Sequence, residues 1–240
     1  MVMQNGFLTA KSASDPFTSH MNEINAGADI RIHPVASLED LQAIWAFDEA
    51  AYGNDENITF DLFRRWWSAC PSGFVAAYRH GTPIGIIGMF PVTADWYIQL
   101  IAREVTEADL GEDIIKRSTQ RHWYFSGISI EKSSRGSRKL LAKLVCQAFQ
   151  HWCGAYREVL AHGPVSVVSV GTTEKGCGLL RDLLRFRLVN AGDAERKRHP
   201  IFAREVDEKQ IRAFVTESDF CKGCSDPMPP WTAQERILEP

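Results

Sequence analysis

The chain has 240 residues, of which 45% are hydrophobic and 24% charged, and its formal net charge is −3. This composition is typical of a globular protein of one large or two small domains, and the acidic balance disfavours a nucleic-acid partner that requires a basic chain. No apolar run is long enough to predict a membrane span, and the first residues lack a secretory-signal pattern. We therefore expect a cytoplasmic protein that binds neither nucleic acid nor membranes.

The six cysteines are scattered along the chain, most of them within apolar segments. This distribution favours reduced thiols over a disulfide framework. Cys221 and Cys224 form a CxxC pair, which supplies two of the four ligands that a structural zinc requires. Because no second pair stands at zinc spacing, we expect no metal site.

Short runs of β-branched and aromatic residues predict seven strands, separated by turn residues and helical segments. Residues 1–28 are polar and aperiodic, which is typical of a mobile tail. Ser37 and Thr59 precede apolar helical periods and are predicted N-caps of two helices between the first and second strands. The predicted strands are 29–36, 74–78, 84–90, 122–130, 164–170, 186–189 and 201–206.

Between the third and fourth strands, residues 94–120 form a predicted helical insertion. Apolar residues recur at helical spacing between Trp96 and Val105, and Thr106 begins a second capping pattern. The segment either forms a wall of a substrate site or is a helical decoration that buries only its own face.

The most informative stretch joins the fourth predicted strand to an amphipathic helix that ends near Trp152. Between them, residues 131–139 form a polar, basic turn that contains Gly136. A strand, a small-residue basic loop and a helix start together present backbone N–H groups and a positive helix end to a phosphate. A plain β-to-α connection with solvated basic residues is the alternative interpretation.

This segment resembles the central region of the GCN5-related N-acetyltransferase (GNAT) superfamily, in which an Arg/Gln-x-x-Gly-x-Gly/Ala turn holds the pyrophosphate of acetyl-coenzyme A. Residues 135–140, Arg-Gly-Ser-Arg-Lys-Leu, occupy that frame, but Arg138 and Leu140 stand where the family has small residues. In the family's second block, Tyr-x-x-x-Gly-Phe, Phe186 keeps the aromatic residue. Arg181 and Arg185 replace the tyrosine and the glycine.

The resemblance covers residues 29–206 and implies an α/β (α+β) fold. The expected architecture is a mixed, mostly antiparallel central sheet of about seven strands, flanked by helices and splayed between the fourth and fifth strands. Residues 207–240 are then a C-terminal helix and tail.

The resemblance implies an N-acyltransferase that moves an acetyl or other acyl group from acyl-coenzyme A to an amine of a small molecule or a protein. The implied state is a monomer or homodimer. Alternatives are an acyl-homoserine-lactone-type or long-chain N-acyl synthase, favoured if Trp96 and Tyr97 line a larger opening, and a GNAT-shaped binding or regulatory protein without catalysis. The implied donor-binding residues are Ile128, Ser129, Ile130, Ser133, Ser134, Arg135, Gly136, Ser137, Arg138 and Lys139, with the backbone N–H of Ile130 at the acyl carbonyl.

Several residues are candidates for proton transfer and charge stabilisation. Glu131 is a candidate general base; Ser129 through water, Glu104 and Glu107 are others, although each glutamate also fits a solvated surface position. Tyr124 or Cys177 is a candidate proton donor to the leaving thiolate, and both also fit buried structural roles. Arg181 cannot donate a proton usefully near neutral pH but could stabilise the thiolate by its charge.

Overall fold

The sheet has seven strands in the order β1-β2-β3-β4-β5-β7-β6. A computed structural model describes residues 30–52, 58–115, 120–134, 137–193, 198–217 and 220–221. All neighbouring strands are antiparallel except β4 and β5, which are parallel. The mixed, mostly antiparallel sheet predicted from the sequence is thus confirmed. The strands are β1 Ile30–Pro34, β2 Phe74–Arg79, β3 Thr82–Val92, β4 His122–Ile130, β5 Val165–Val170, β6 Arg187–Asn190 and β7 Ile201–Val206.

Helices cover both faces of this sheet, and the first two begin at the predicted caps. The Thr59 hydroxyl accepts a hydrogen bond from the backbone N–H of Leu62 at 3.3 Å, and the Ser37 hydroxyl accepts one from Asp40 at 3.1 Å. The helices are α1 Leu38–Tyr52, α2 Phe60–Ala69, α3 Ala94–Ala102, α4 Arg138–Ala155, α5 Arg157–Ala161, α6 Glu174–Gly178 and α7 Glu208–Glu217; a π-helical turn, Leu179–Leu183, continues α6. None of these helices in the described part of the chain is long and apolar enough to cross a membrane.

The alternation of side chains along β3 assigns the helices to opposite faces of the sheet. A Cβ atom placed on Gly85 would lie 3.2 Å from Leu144 of α4, so the odd-numbered residues of β3 face α4. The even-numbered residues Ile86 and Gly88 point to the other face and line a cavity together with Trp66 of α2. The core therefore has two layers, with α4 and α7 on one side of the sheet and α1 and α2 on the other.

One sequence prediction about the cysteines is wrong. Cys146 of α4 and Cys221 form a disulfide with a Cα–Cα distance of 6.1 Å, whereas Cys70, Cys153 and Cys177 form no disulfide among the described residues. The two half-cystines are 75 residues apart, so spacing gave no signal. Packing of α7 against α4 accompanies the pairing, with the Phe149 and Phe214 rings 5.5 Å apart. Cys224 lies outside the described residues.

The buried His151 predicts that acid destabilises the fold. In its neutral form the Nε2–H donates to the carbonyl oxygen of Ser72 at 3.1 Å, and burial lowers the pKa of His151 from 6.5 to about 4. Since the unfolded chain binds this proton more readily, the neutral His151 contributes to the free energy of unfolding above about pH 6.5. This contribution is lost as the pH falls towards about 4. A shift of this size corresponds to about 3 kcal/mol.

The measurement is the free energy of unfolding from urea titrations at several pH values. His151→Gln should reduce the slope between about pH 4 and 6.5, whereas His199→Gln, at an exposed histidine, should leave it unchanged. Identical slopes in wild type and His151→Gln would show that another group causes the acid sensitivity.

Candidate functional site

A β-bulge in the middle of β4 sets the geometry of the candidate site. Met89 of β3 pairs with Phe125, and Gly88 pairs with Gly127, so Ser126 is an extra residue with no partner on β3. Gly127 has φ = +119°, a conformation that residues with a Cβ rarely adopt. Because a bulge bends its strand and increases the local twist, the second half of β4 takes a new direction.

At this bulge β4 and β5 part. The two strands pair only from His122 to Tyr124, opposite Ser166 to Val168, although β4 continues to Ile130 and β5 to Val170. The predicted splay between the fourth and fifth strands is therefore present, and it begins where Ser126 is inserted.

The backbone beyond the bulge turns alternate N–H groups towards the opening. The N–H of Glu131 donates to Ile84 of β3 at 2.9 Å. Because successive peptide groups of a strand point in opposite directions, the N–H groups of Ile128 and Ile130 point away from β3, towards the β5 side. This is the orientation required of the Ile130 N–H predicted to meet an acyl carbonyl.

A cavity of about 90 Å³ opens at the parting of β4 and β5. Its polar wall includes Ser126 and Ser129 of β4 and Ser169 of β5, and aromatic rings from α2 and β2 line the opposite side. Asp48 of α1 and Glu107 also line it and are the ionisable side chains of its described wall. The wall that the sheet forms is thus polar and uncharged, the opposite wall is aromatic, and two acidic side chains, Asp48 and Glu107, also line the cavity.

Asp48 makes a direct polar contact at this cavity. Ser129 is only 4% exposed, and its hydroxyl donates a hydrogen bond to Oδ1 of Asp48. The bulge explains the contact, because the extra residue turns Ser129 towards the face of the sheet that α1 covers. Asp48 was not among the residues singled out from the sequence.

Glu107 reaches the same cavity from the predicted insertion. It belongs to a 3-10 turn, Glu107–Asp109, whose N-cap is Thr106. The indole N–H of Trp66 donates to the carbonyl oxygen of Leu110 at 2.6 Å, which ties this turn to α2. Glu104 is exposed and does not line the cavity.

The predicted donor loop is held by Arg79 at the end of β2. Its guanidinium lies 3.7 Å from the Glu131 carboxylate and 3.4 Å from the Ser134 hydroxyl, to which it donates. Ser134 also donates to Glu131 at 3.1 Å. Glu131 is thus an ion-pair partner within the loop and does not line the cavity.

The start of α4 has the arrangement expected for an anion site. The Ser137 hydroxyl accepts from the N–H of Leu140 at 3.3 Å and caps the helix. The helix dipole adds positive potential at this helix start. The exposed residues around it are Lys132, Ser133, Arg138 and Lys139. Arg135 and Gly136 lie outside the described residues, so their predicted role stays a prediction.

The two predicted proton donors lie away from the cavity wall. Tyr124 is 0% exposed, its ring packs edge-on against Trp96 at 5.3 Å, and its buried hydroxyl has no hydrogen-bond partner among the described residues. The thiol of Cys177 donates to the carbonyl oxygen of Gly171 at 3.4 Å, and burial raises its pKa.

The remaining predicted residues are exposed or packed elsewhere. Arg181 is exposed and contacts Asp182 through two hydrogen bonds of 2.8 and 3.0 Å, while the neighbouring Leu180 lines the cavity.

Trp96 is buried, and the ring of Tyr97 packs against His122 at 4.8 Å. Neither of these rings lines the opening, so the feature expected of a long-chain synthase is not found there. Among the described residues no group of three or more His, Cys, Asp and Glu side chains could hold a metal.

Gly127 predicts a measurable cost for any side chain at the bulge. Gly127→Ala should destabilise the fold by about 1–3 kcal/mol, because alanine is strained at φ = +119°. The matched control is Gly154→Ala at an exposed site in α4 with nothing within 4 Å, which should be stabilising by up to about 1 kcal/mol. Urea unfolding of both variants measures the difference. Equal stability of Gly127→Ala and wild type would show that the bulge tolerates a Cβ.

The strand order, the parallel β4–β5 pair and its parting at a bulge match the fold that the resemblance to the GNAT superfamily implies. No protein-family model and no curated protein sequence matches the chain. Solved structures that resemble it include a mutant agmatine N-acetyltransferase, with 15% identity over 74% of this chain and 100% of that chain and a TM-score of 0.49. Another is a GNAT-like decarboxylase in complex with isobutyryl-CoA, with 14% identity over 72% and 98% and a TM-score of 0.48. A ribosomal-protein-alanine N-acetyltransferase from Escherichia coli has 12% identity over 74% and 94% and a TM-score of 0.44.

Proposed function

We propose that the protein transfers an acyl group from acyl-coenzyme A to an amine at the cavity between β4 and β5. The observation that carries this proposal is the parting of the two strands at the Ser126 bulge, which directs the Ile128 and Ile130 N–H groups towards the opening. Backbone donors fixed in a strand suit a thioester carbonyl that gains negative charge in the transition state.

The start of α4 is the proposed site of the donor's pyrophosphate. The helix has 18 residues and its N-cap is Ser137, so its positive end and its first N–H groups face the basic turn. Arg138 and Lys139 supply charge-assisted hydrogen bonds to phosphate oxygens. Glu131, predicted as a general base, is instead proposed to position this loop through its ion pair with Arg79.

Asp48 is the proposed proton acceptor. Its carboxylate lines the cavity and already accepts the Ser129 hydroxyl hydrogen bond. The acceptor amine enters as an ammonium ion, and its positive charge suits a cavity whose ionisable side chains are the acidic Asp48 and Glu107. Asp48 then takes one proton from the ammonium nitrogen, which frees the nitrogen lone pair for attack. We further propose that the insertion, through Glu107, forms the wall on the acceptor side.

The chemical step forms one bond and breaks one. The neutral amine attacks the thioester carbon and the C–N bond forms. The C–S bond then breaks to leave coenzyme A as a thiolate, and the nitrogen loses its second proton to water in the cavity. Free thiols have a pKa of about 8.5, so the thiolate is a fairly good leaving group. Since Tyr124 is buried behind the wall and Arg181 lies outside it, water in the cavity is the proposed proton donor to the sulfur.

The proposal is tested with purified protein, acetyl-coenzyme A and a panel of amines that includes diamines, amino alcohols and peptides with free N-termini. Free coenzyme A is titrated with a thiol reagent, and the acylated amine is identified by mass spectrometry. We expect amine-dependent release of coenzyme A with a matching product. Coenzyme A binding without turnover on any amine would favour the non-catalytic alternative, and absence of both would refute the proposal.

A further inference from the structure

A second cavity, of about 40 Å³, lies on the opposite face of the sheet, under β4, β5 and β7. Its walls are apolar and mainly aromatic, with Trp123 from β4, Trp152 from α4 and Phe214 from α7. Two polar side chains interrupt this lining, Arg204 of β7 and Gln210 of α7. One water molecule requires about 10–15 Å³, so the cavity has room for about three groups of the size of a water molecule.

Arg204 is the unusual residue of this cavity. Its guanidinium donates to the carbonyl oxygen of Leu184, and no carboxylate in the described part of the chain forms an ion pair with it. Burial and the nearby charge of Arg185 lower its pKa, and Asp207 opposes them. Because arginine remains protonated in proteins, a half-buried positive charge faces an apolar space.

Such an arrangement matches a ligand with an apolar chain and an anionic end. A charge removed from water is costly unless it is paired, and one hydrogen bond to Leu184 uses one of the five guanidinium donors. The remaining donors form a planar fork whose geometry fits a carboxylate.

The cavity and the parting of β4 and β5 share one wall. Phe125 lines both spaces and is the first residue of β4 beyond the β4–β5 ladder. Its ring lies 6.3 Å from Phe186, which also lines the second cavity. Phe125 therefore stands between the thioester site and the Arg204 cavity.

We propose that the second cavity receives the far end of the donor's acyl group, and that this end is a carboxylate bound by Arg204. The preferred donors are then short dicarboxylic acyl thioesters of coenzyme A, such as succinyl- or glutaryl-coenzyme A. This inference rests on the proposed function, because it specifies the donor of that site. The small volume limits the buried portion to about one methylene and the carboxylate.

The test compares calorimetric affinities of the wild-type protein for butyryl-, succinyl- and glutaryl-coenzyme A, with coenzyme A itself as reference. We expect at least one dicarboxylic thioester to bind about tenfold or more tightly than butyryl-coenzyme A, the gain of one charged hydrogen bond or more. Arg204→Gln should abolish this preference and leave the affinity for coenzyme A unchanged. Arg187→Gln, at an exposed position of β6, should retain it.

Arg204→Lys tests the same point if Arg204→Gln does not fold, since lysine keeps the charge but loses the planar fork; an intermediate preference is expected. Equal affinities for butyryl- and the dicarboxylic thioesters in wild type, or a preference that survives in the Arg204 variants, would overturn the inference while the proposed function stands. Failure to bind any coenzyme A species would instead refute the proposed function.

Discussion

Asp48→Asn is expected to lower the turnover number about 100- to 10,000-fold, the range that a positioned general base supplies. Asparagine keeps the shape and can still accept the Ser129 hydrogen bond, but it cannot take a proton from an ammonium ion. Affinity for coenzyme A should be unchanged, because Asp48 lies on α1 and the proposed phosphate site lies at the start of α4. The measurement is steady-state release of coenzyme A with the best amine from the panel.

Two controls separate chemistry from folding. Asp182→Asn removes an exposed carboxylate paired with Arg181 and should retain wild-type turnover. The loss in Asp48→Asn should shrink as the pH rises, because more of the amine is then already deprotonated. A full-rate Asp48→Asn enzyme, or a loss that is the same at every pH, would remove Asp48 from the proton-transfer step.

The second large effect is expected at the proposed phosphate site. Arg135→Ala combined with Arg138→Ala should weaken coenzyme A binding by about 1.5–3 kcal/mol for each charged hydrogen bond that is lost. The matched control, Arg64→Ala with Arg65→Ala, removes the same charge from exposed positions of α2. Calorimetry with coenzyme A and with pantetheine, which lacks the pyrophosphate, separates the contacts.

The truncated ligand gives this experiment its specificity. Pantetheine should bind wild type and the Arg135/Arg138 variant equally, because neither arginine then has a phosphate to contact. An unchanged affinity for coenzyme A in the double variant would contradict the phosphate-site assignment, and an equal loss for both ligands would indicate a general disturbance of the loop.

Much of the fold could be predicted because its signals are local. Thr59 is an N-cap in the structure because its hydroxyl and the following apolar period act over one helical turn. The His122–Ile130 strand has the predicted bounds because its β-branched and aromatic residues fit a buried strand. Seven strands in this order then leave few topologies, and the parting of the fourth and fifth was expected from the resemblance.

The candidate site was less predictable because its contacts are long-range. Asp48 and Ser129 are 81 residues apart, and the contact depends on a bulge whose one sequence signal is a glycine, Gly127, within the predicted strand. Arg79 meets the donor loop 55 residues later, and Arg204 faces a cavity lined by residues of five other helices and strands. Tyr124 is the opposite case. Its phenol is chemically suited to donate a proton, but the residue is buried against Trp96.

The most direct test of the central claim is hydrogen exchange, measured by mass spectrometry, of the wild-type protein with and without saturating coenzyme A. The account predicts slower exchange in residues 127–142, which contain the second half of β4 and the start of α4, and unchanged exchange in β6. Unchanged exchange throughout the chain, or protection confined to segments outside 127–142, would contradict binding of coenzyme A at the parting of β4 and β5.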